Sequence, residues 1–434
     1  MVTFVALEQE LGTLAAPGHD GSVLFAGATK GRLGLDEHRS LRIDAHLLRG
    51  AALREAIATT NLTGRGGASF PLERKLEAME AAGGSSTVIV NLSESEPASA
   101  KDRTLAMLRP HALLDGAALL AEIAGASEVI IAMHEESGAV GWSLDEAFRE
   151  RRARGLDDPR WVRRSGPEGY VRGEAGAVAD RVAGGAGLPI HRTAPLARSG
   201  PSGGPTLVSN AETVAQVAVL SELGIDRFLR VGTSHCAGTR VLTLAGDVTY
   251  PGSVLEVAGS VPFSRLFQQA GYGEPPPFVL LGGYAGSWVP GDALWDAEIS
   301  DAGLAAFGAS VGCGVVGIVG TGRCPLKEVS RLTTYLAAQS AGQCGPCVHG
   351  LPELASELER LIRTGRPGGV RRIDRISGEL RGRGACSHPD AAVSMVASAL
   401  EVMGAELERH RRASCSHVGV TREVFPLESP VMVA

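Results

Sequence analysis

The sequence predicts an α/β chain that continues into a small β-rich unit and ends in a bundle of helices. Three observations carry this. Two short apolar runs, Thr87–Asn91 and residues 128–132, flank a helical stretch at 105–124, and strand, helix, strand in that order is the grammar of a parallel βαβ unit. Residues 239–248 alternate and end in a turn, as a hairpin strand does. After Pro325 the apolar residues recur at helical spacing in three stripes: Leu326, Val329, Leu332 and Leu336; Leu351, Leu354, Leu358 and Leu361; Val393, Val396, Leu400, Met403 and Leu407.

Bulk composition bounds the answer. At 434 residues the chain has room for two to four domains. With 57 glycines and only 4% aromatic residues, it favours Gly-rich turns and close backbone approach over an aromatic-packed sandwich. A net charge of −6 argues against a nucleic-acid binder. Residues 1–12 have no basic leader region, so no secretory signal is expected. Residues 304–322 carry no charge between Asp301 and Arg323, but six glycines make a buried helix–turn–strand the expectation rather than a membrane span. Seven unevenly spaced cysteines point to a reducing, cytoplasmic setting.

In chain order, helical spacing covers 41–59, followed by the Gly-rich run Thr63-Gly64-Arg65-Gly66-Gly67-Ala68-Ser69-Phe70-Pro71 and a helix at Leu72–Ala82. After the two strands, 140–154 reads as a further helix and 189–205 as a long surface loop rich in Pro, Gly, Arg and Ser. The β-rich unit starts near Gly232. Pro325 suits the first turn of a helix, and the last apolar stripe is expected to begin a helix at Asp390.

Three segments carry chemistry. The glycines at 64, 66 and 67 lack Cβ atoms, so this backbone can approach a phosphate or a flat ring closely, though such a loop can also be a plain turn. The run Asn91-Leu92-Ser93-Glu94-Ser95-Glu96-Pro97 places acids and an amide just past a buried strand, where α/β folds bind ligands. Cys344-Gly345-Pro346-Cys347 with the later Cys386 is an iron–sulfur ligand pattern lacking one ligand, because Ala341 stands where a Cys-x-x-Cys-x-x-Cys run would begin. Cys236, Cys313 and Cys324 have small or apolar neighbours and read as buried hydrophobes. Zinc on the three cysteines and a histidine is the alternative to a cluster.

Taken together, these segments resemble the NADH-binding flavoprotein subunit of respiratory complex I and its relatives in NAD-linked hydrogenases and formate dehydrogenases. Those carry G-R-G-G-A-G-F-P followed by a lysine, N-A-D-E-x-E-P-x-x-x-K-D-R, Y-x-x-G-E-E-T-A, N-x-E-T and S-C-G-x-C-x-P-C-R-x-G with a later cysteine. The ordered matches run from about residue 60 to 400. The resemblance implies a Rossmann-like FMN domain over 1–230, a β-grasp (soluble-ligand-binding) domain over 231–315 and a helical iron–sulfur bundle with its tail over 316–434.

Carried over, it implies that Gly64, Arg65, Gly66, Gly67 and Ala68 cradle FMN, with Phe70 stacking on a dinucleotide. Lys75 is implied near the flavin and Glu96 on the nicotinamide side, the two residues expected closest to the reacting atoms. Asn91, Glu94, Glu174, Ser209, Asn210 and Thr213 match flavin-side positions; Tyr170 and Gly173 match Y-x-x-G. Cys344, Cys347 and Cys386 would hold a [4Fe–4S] cluster, with His388 the first choice for a fourth ligand, Cys415 the second and His349 a further candidate, or with one iron left without a protein ligand. The departures cluster: Ser93 replaces an acid, Ala175 and Gly176 replace Glu and Thr, and Ala78 and the 192–196 segment lack the family's rings. The flavin-facing glycines survive better than the nicotinamide-facing rings, which points to an NADH pocket altered or lost, the alternative being that other residues refill it. The implied function is transfer of electrons from NADH, or another donor, through FMN and the cluster to a ferredoxin-like or other redox protein. Partner subunits of a membrane complex are also implied as possible neighbours, with no membrane span in the chain itself. The alternatives are a relay that exchanges electrons with a ferredoxin without NADH, and a non-enzymatic paralogue with zinc at the cysteines.

Overall fold

The computed structural model describes residues 23–28, 31–41, 47–134, 138–233, 236–365, 368–412, 415 and 423–428. Four strands, β1 (Thr87–Asn91), β2 (Glu128–His134), β3 (Arg160–Gly166) and β4 (Thr206–Asn210), form a wholly parallel sheet in the order β3-β2-β1-β4. Val88, Ile89 and Val90 of β1 are all buried, as a parallel strand covered on both faces requires. The chain steps outward from β1 through β2 to β3, then returns to pair β4 on the other side of β1. That reversal makes a crevice at the carboxyl ends of β1 and β4, the usual ligand position in such sheets. Asn91 and Asn210 end the two strands in register there.

The helices differ from expectation in instructive ways. The stretch 105–124 is two helices, Lys101–Leu108 and Pro110–Ala124. Pro110 has no N–H to continue the first and suits the first turn of the second. Within 41–59 the helix is Gly50–Thr59, and residues 42–46 lie outside the described residues. Leu72–Ala82 is observed as expected, residues 140–154 as Gly138–Ala153, and 189–205 holds neither helix nor strand. Helix Pro110–Ala124 packs so closely on Ala211–Arg230 that a Cβ at Gly116 would stand 1.9 Å from the Val214 carbonyl oxygen.

The second sheet comprises β5 (Thr239–Gly246), β6 (Val254–Ala258), β7 (Phe278–Leu281), β8 (Ser287–Val289) and β9 (Val315–Val319), in the order β6-β5-β9-β7-β8. β9 runs parallel to β5; the other pairs are antiparallel. Helix Phe263–Gln269 buries Phe263, Leu266 and Phe267 with Leu242, Leu244, Val279 and Ile318 of this sheet. A mixed sheet with one helix laid on it fits the β-grasp expectation, but β9 carries it past the expected boundary at 315. Residues 304–322 are helical turns followed by β9, and no helix among the described residues is long and apolar enough to cross a membrane.

The bundle contains Pro325–Ala338, Leu351–Thr364, Gly369–Leu380, His388–Val402 and Gly404–Arg412. The third apolar stripe is split at Met403, and Gly369–Leu380 was not expected from the sequence. Its Ile373, Ile376 and Leu380 are buried, but Arg371, Arg372, Asp374 and Arg375, before and among them, mask the stripe. The tail returns to the core at Phe425, which is 1% exposed and occupies the space left open by Gly246 and Gly317.

One buried polar cluster joins the first two units. Lys101 Nζ lies 2.9 Å from Asp102 Oδ1, 2.9 Å from Glu212 Oε2 and 3.3 Å from Asn210 Oδ1. Glu212 Oε1 in turn accepts the Val241 N–H of β5 at 2.8 Å, and Thr243 Oγ1 accepts the Ala100 N–H at 3.1 Å. Burial opposes the charge on Lys101, but Asp102 and Glu212 together hold its pKa above the ordinary lysine value. Replacing Lys101 with Met would leave two carboxylates facing each other in the interior. Lys101→Met is expected to lose on the order of 3–5 kcal/mol of stability in denaturant melts; a loss near zero would contradict this role.

Candidate functional site

The Gly-rich loop sits over the start of helix Ala211–Arg230. The Gly64 N–H donates to the Phe70 carbonyl at 2.9 Å and closes the loop. The Arg65 N–H donates to Thr213 Oγ1 at 2.8 Å and anchors the loop to the helix. A Cβ at Gly66 would meet Asn210 Cβ at 3.1 Å, and Gly67 has φ +116°. Ser69, at φ +47°, is held by its hydroxyl donating to Asp301 Oδ2 at 2.6 Å. Gly66, Gly67 and Ala68 are exposed, and Phe70 is 49% exposed beside them. The result is an open backbone shelf with an aromatic ring at its end, at the crevice of β1 and β4. The shelf is free of side-chain bulk where a flavin phosphate or ring would lie, so it fits FMN. The Arg65 guanidinium does not face it. That group is buried, donates to the Ala237 carbonyl at 2.7 Å and lies 3.7 Å from Cys236 Sγ.

The remaining flavin-side residues divide by what they touch. Lys75 Nζ donates to the Val208 carbonyl of β4 at 2.9 Å, which leaves donor capacity on a three-proton ammonium. Burial pulls its pKa down. Asn91 donates to the Gly173 carbonyl at 2.8 Å and accepts the Ser93 N–H at 3.1 Å. Asn210 caps helix Ala211–Arg230 by accepting the Glu212 N–H, and it donates to Asp102 Oδ2 at 2.6 Å. Ser209 is buried on β4.

Glu94 accepts Ser99 Oγ–H at 2.5 Å and the backbone N–H groups of Asp102 at 3.1 Å and Arg103 at 3.2 Å. It therefore fastens the first turn of Lys101–Leu108. Burial pushes its carboxyl up, but Arg103, Lys101 and these hydrogen bonds bring the pKa below the usual value. Glu174 is exposed and caps helix Ala175–Val182 through the Ala177 N–H. Thr213, Glu94 and Glu174 thus shape the site's scaffold.

Glu96 has a different character. Its Oε2 accepts the Tyr284 N–H at 2.9 Å and the Tyr170 hydroxyl at 3.2 Å, while its buried Oε1 has no hydrogen-bond partner. Burial pushes its pKa up to about 7. A carboxyl poised near neutrality, with one oxygen unmatched, is suited to holding or passing a proton. A cleft of about 190 Å³ beside it is lined by Ser95, His134, Tyr170, Tyr335 and Gln339. That is below the ~300–1,000 Å³ of typical ligand pockets, so it would take one end of a ligand. The buried His134 Nδ1 at the end of β2 likewise has no hydrogen-bond partner.

The cysteines lie on the adjoining bundle. Cys347 is in a wide helical turn, Pro346–Gly350, and Cys386 precedes helix His388–Val402. Burial pushes the Cys347 thiol up to about 12, with further lifts from Cys344, which is hydrogen-bonded to it, and from nearby Cys386. Cys386 accepts the His388 backbone N–H. Three thiols gathered on adjoining loops can supply three corners of an iron–sulfur cluster. The His388 Nε2–H donates to the Leu336 carbonyl at 2.8 Å, and burial keeps the ring neutral, so Nδ1 is the nitrogen left for ligation. His349 is exposed. Cys415 instead groups with Cys324 and His410.

Three cysteines differ from the expectation of inert hydrophobes. Cys236 Sγ is 3.3 Å from Arg240 Nε, Cys324 Sγ is 3.3 Å from His410 Nε2, and the Cys313 thiol donates to the Gly282 carbonyl beside Glu96. Tyr284, Lys101 and Glu212 were not singled out by sequence reasoning. The last two sit inside the K-D-R and N-x-E-T motifs, and that membership was the available signal.

The raised pKa of Glu96 has a stability consequence. Between the ordinary carboxylate value of 4.5 and about 7, the folded protein holds a proton that the unfolded chain has lost. Stability therefore falls as pH rises through that window. Glu96→Gln removes the fall, so its stability relative to wild type should climb from pH 4.5 to 7 and then level off, by on the order of 3 kcal/mol at most. Urea melts across this range test it, and a pH-independent difference would contradict it.

The chain is similar to known proteins. Residues 57–219 match the Nuo51 FMN-binding domain and residues 327–410 the iron–sulfur binding region of NADH-ubiquinone oxidoreductase-F. The F component of NADH-quinone oxidoreductase from Mycobacterium tuberculosis is 30% identical over 370 residues, covering 80% of this chain and 81% of that protein. The component of the same name from Streptomyces coelicolor is 28% identical over 370 residues, covering 82% of each. The crystal structure of an NAD+-reducing [NiFe]-hydrogenase in the H2-reduced state shares the fold with a TM-score of 0.76 at 24% identity; the match covers 83% of this chain and 62% of the hydrogenase chain. The chain belongs to the family of the NADH-quinone oxidoreductase F component.

Proposed function

We propose that the protein is a cytoplasmic oxidoreductase that takes electrons from NADH through FMN to a [4Fe–4S] cluster and on to a protein acceptor. One observation carries the reading beyond family membership: a contiguous line of groups joins the crevice to the cysteines. Glu96 accepts from Tyr170, the Tyr170 ring lies 5.6 Å from the His388 ring, and the His388 backbone N–H meets Cys386. The Tyr170 N–H also donates to Gln339 Oε1 at 3.2 Å, just ahead of the loop bearing Cys344.

FMN, when bound, exchanges an electron pair with a nicotinamide and releases it one electron at a time. The Gly64–Ala68 backbone would hold it, with Lys75 supplying a cation and Asn91 and Asn210 fixing the strand ends. Glu96 would hold the exchangeable proton on the nicotinamide side. Cys344, Cys347 and Cys386 would hold the cluster, with His388 Nδ1 at the fourth corner. Val348 and His349, both exposed, directly follow Cys347, which favours electron exit to a docked ferredoxin-like protein or partner subunit at this face.

The nicotinamide side is altered. Ser93 stands in the place of an acid, accepting from Arg181 at 2.8 Å, and Ala78 packs against the core in place of a ring. Each missing ring would cost about 1 kcal/mol of stacking, so NADH is expected to bind weakly.

Anaerobic mixing with NADH, NADPH and reduced ferredoxin tests the donor. Flavin bleaching by NADH, saturating only at high concentration, is expected; bleaching by ferredoxin alone would replace NADH with a relay. A folded Gly66→Val variant should lose most of its FMN, and full occupancy would refute the shelf. Cys386→Ser should lose the iron, whereas zinc in place of iron at these three cysteines would refute the cluster.

A further inference from the structure

The far end of the bundle holds a second group of metal-ligating side chains. Cys324 directly precedes helix Pro325–Ala338, His410 lies in the last turn of Gly404–Arg412, and Cys415 follows it. Their ligand atoms all lie within 4.8 Å of one another. His410 Nδ1 is 3.0 Å from the Ile362 carbonyl oxygen. That contact places the ring proton on Nδ1 and leaves the Nε2 lone pair facing Cys324 Sγ at 3.3 Å. A histidine pinned through one nitrogen by a backbone carbonyl, with the other aimed at thiols, is how metal-ligating histidines are held.

Glu406, one helical turn before His410, brings Oε1 to 3.7 Å from the same Nε2. Around a tetrahedral zinc, bond lengths of about 2.3 Å to sulfur and about 2.0–2.1 Å to nitrogen and oxygen give edges near 3.5 Å for S···N and near 3.3 Å for O···N. The Cys324 Sγ···Nε2 distance of 3.3 Å and the Glu406 Oε1···Nε2 distance of 3.7 Å are within about 0.4 Å of those edges. Cys324, His410 and Glu406 are buried, Cys415 is half-buried, and a cavity of about 600 Å³ lined by Lys327, Ser330, Glu359, His410 and Cys415 opens onto the group.

We propose that Cys324, His410 and Cys415 form a Zn²⁺ site separate from the iron–sulfur cysteines, with the fourth position left to Glu406 or a water molecule. Two thiols and an imidazole select zinc over the hard cations magnesium and calcium, which take oxygen ligands. Binding releases both thiol protons to solvent and changes no oxidation state. The ion would fasten the start of the tail to the N-terminus of Pro325–Ala338. The same helix holds the far part of the tail, because the Phe425 N–H donates to Glu328 Oε1 at 3.0 Å and Arg331 donates to the Phe425 carbonyl.

Metal analysis of full-length, anaerobically purified protein tests this. About one zinc per chain is expected alongside the iron. Cys415→Ser, a change at a half-buried tail position, should lose the zinc while keeping iron and FMN, and Cys386→Ser should lose iron while keeping zinc. Zinc that survives both Cys324→Ser and Cys415→Ser would overturn the site. So would protein that takes up no added Zn²⁺, or a Cys324–Cys415 disulfide found by mass spectrometry in the anaerobic preparation.

Discussion

The buried ammonium of Lys101 is the interaction on which the site's geometry depends. It has almost no contact with water, so it must be matched by carboxylates. Those carboxylates come from its own helix, through Asp102, and from the helix that follows β4, through Glu212. Glu212 spends its second oxygen on the backbone of β5. One charge therefore fixes the carboxyl end of β4, the helix after β1 and strand β5 of the second sheet against one another. The glycine shelf is hung on the same helix through Arg65 N–H and Thr213, so its position is set by this cluster as well. The chemistry needs flexible, small residues in the shelf, and the rigidity has to come from elsewhere.

The bundle is coupled to that frame by aromatic and acidic groups. Tyr170 and Tyr284 both serve Glu96, and both lie edge-on to Tyr335 of the bundle, with ring centroids 6.0 and 5.8 Å apart. Tyr284 also packs on Phe425, so the tail braces the same junction. Glu96 is thereby buried at a point where all three units meet, and that burial raises its pKa. Its position in the fold and its acidity have the same cause.

Much of this was legible in the sequence. Thr87–Asn91 and Leu72–Ala82 declared themselves through apolar patterning, and Pro325 marked the start of its helix. The motifs placed Gly66, Asn91, Asn210, Cys344, Cys347 and Cys386 at the crevice and the adjoining loops. What the sequence could not separate was motif residues that build the scaffold from those that face the crevice. Arg65, Glu94 and Thr213 lie in motif segments, yet each is committed to backbone or helix-end contacts. Their partners, such as Ala237 and Asp102, are chosen by tertiary packing. The group at Cys324, His410 and Cys415 was hidden for the same reason: 86 residues separate Cys324 from His410, and no local spacing rule connects them. Gly369–Leu380 was masked by its own arginines, although its buried face follows helical spacing.

The crevice and the cysteine loops are proposed to act as one electron path within a single chain. Rapid-freeze EPR after anaerobic mixing with excess NADH measures it directly. The account predicts that the signal of a reduced iron–sulfur cluster grows in as flavin absorbance falls, in the isolated chain and without any partner subunit. Flavin that bleaches fully while the cluster stays oxidised would contradict it.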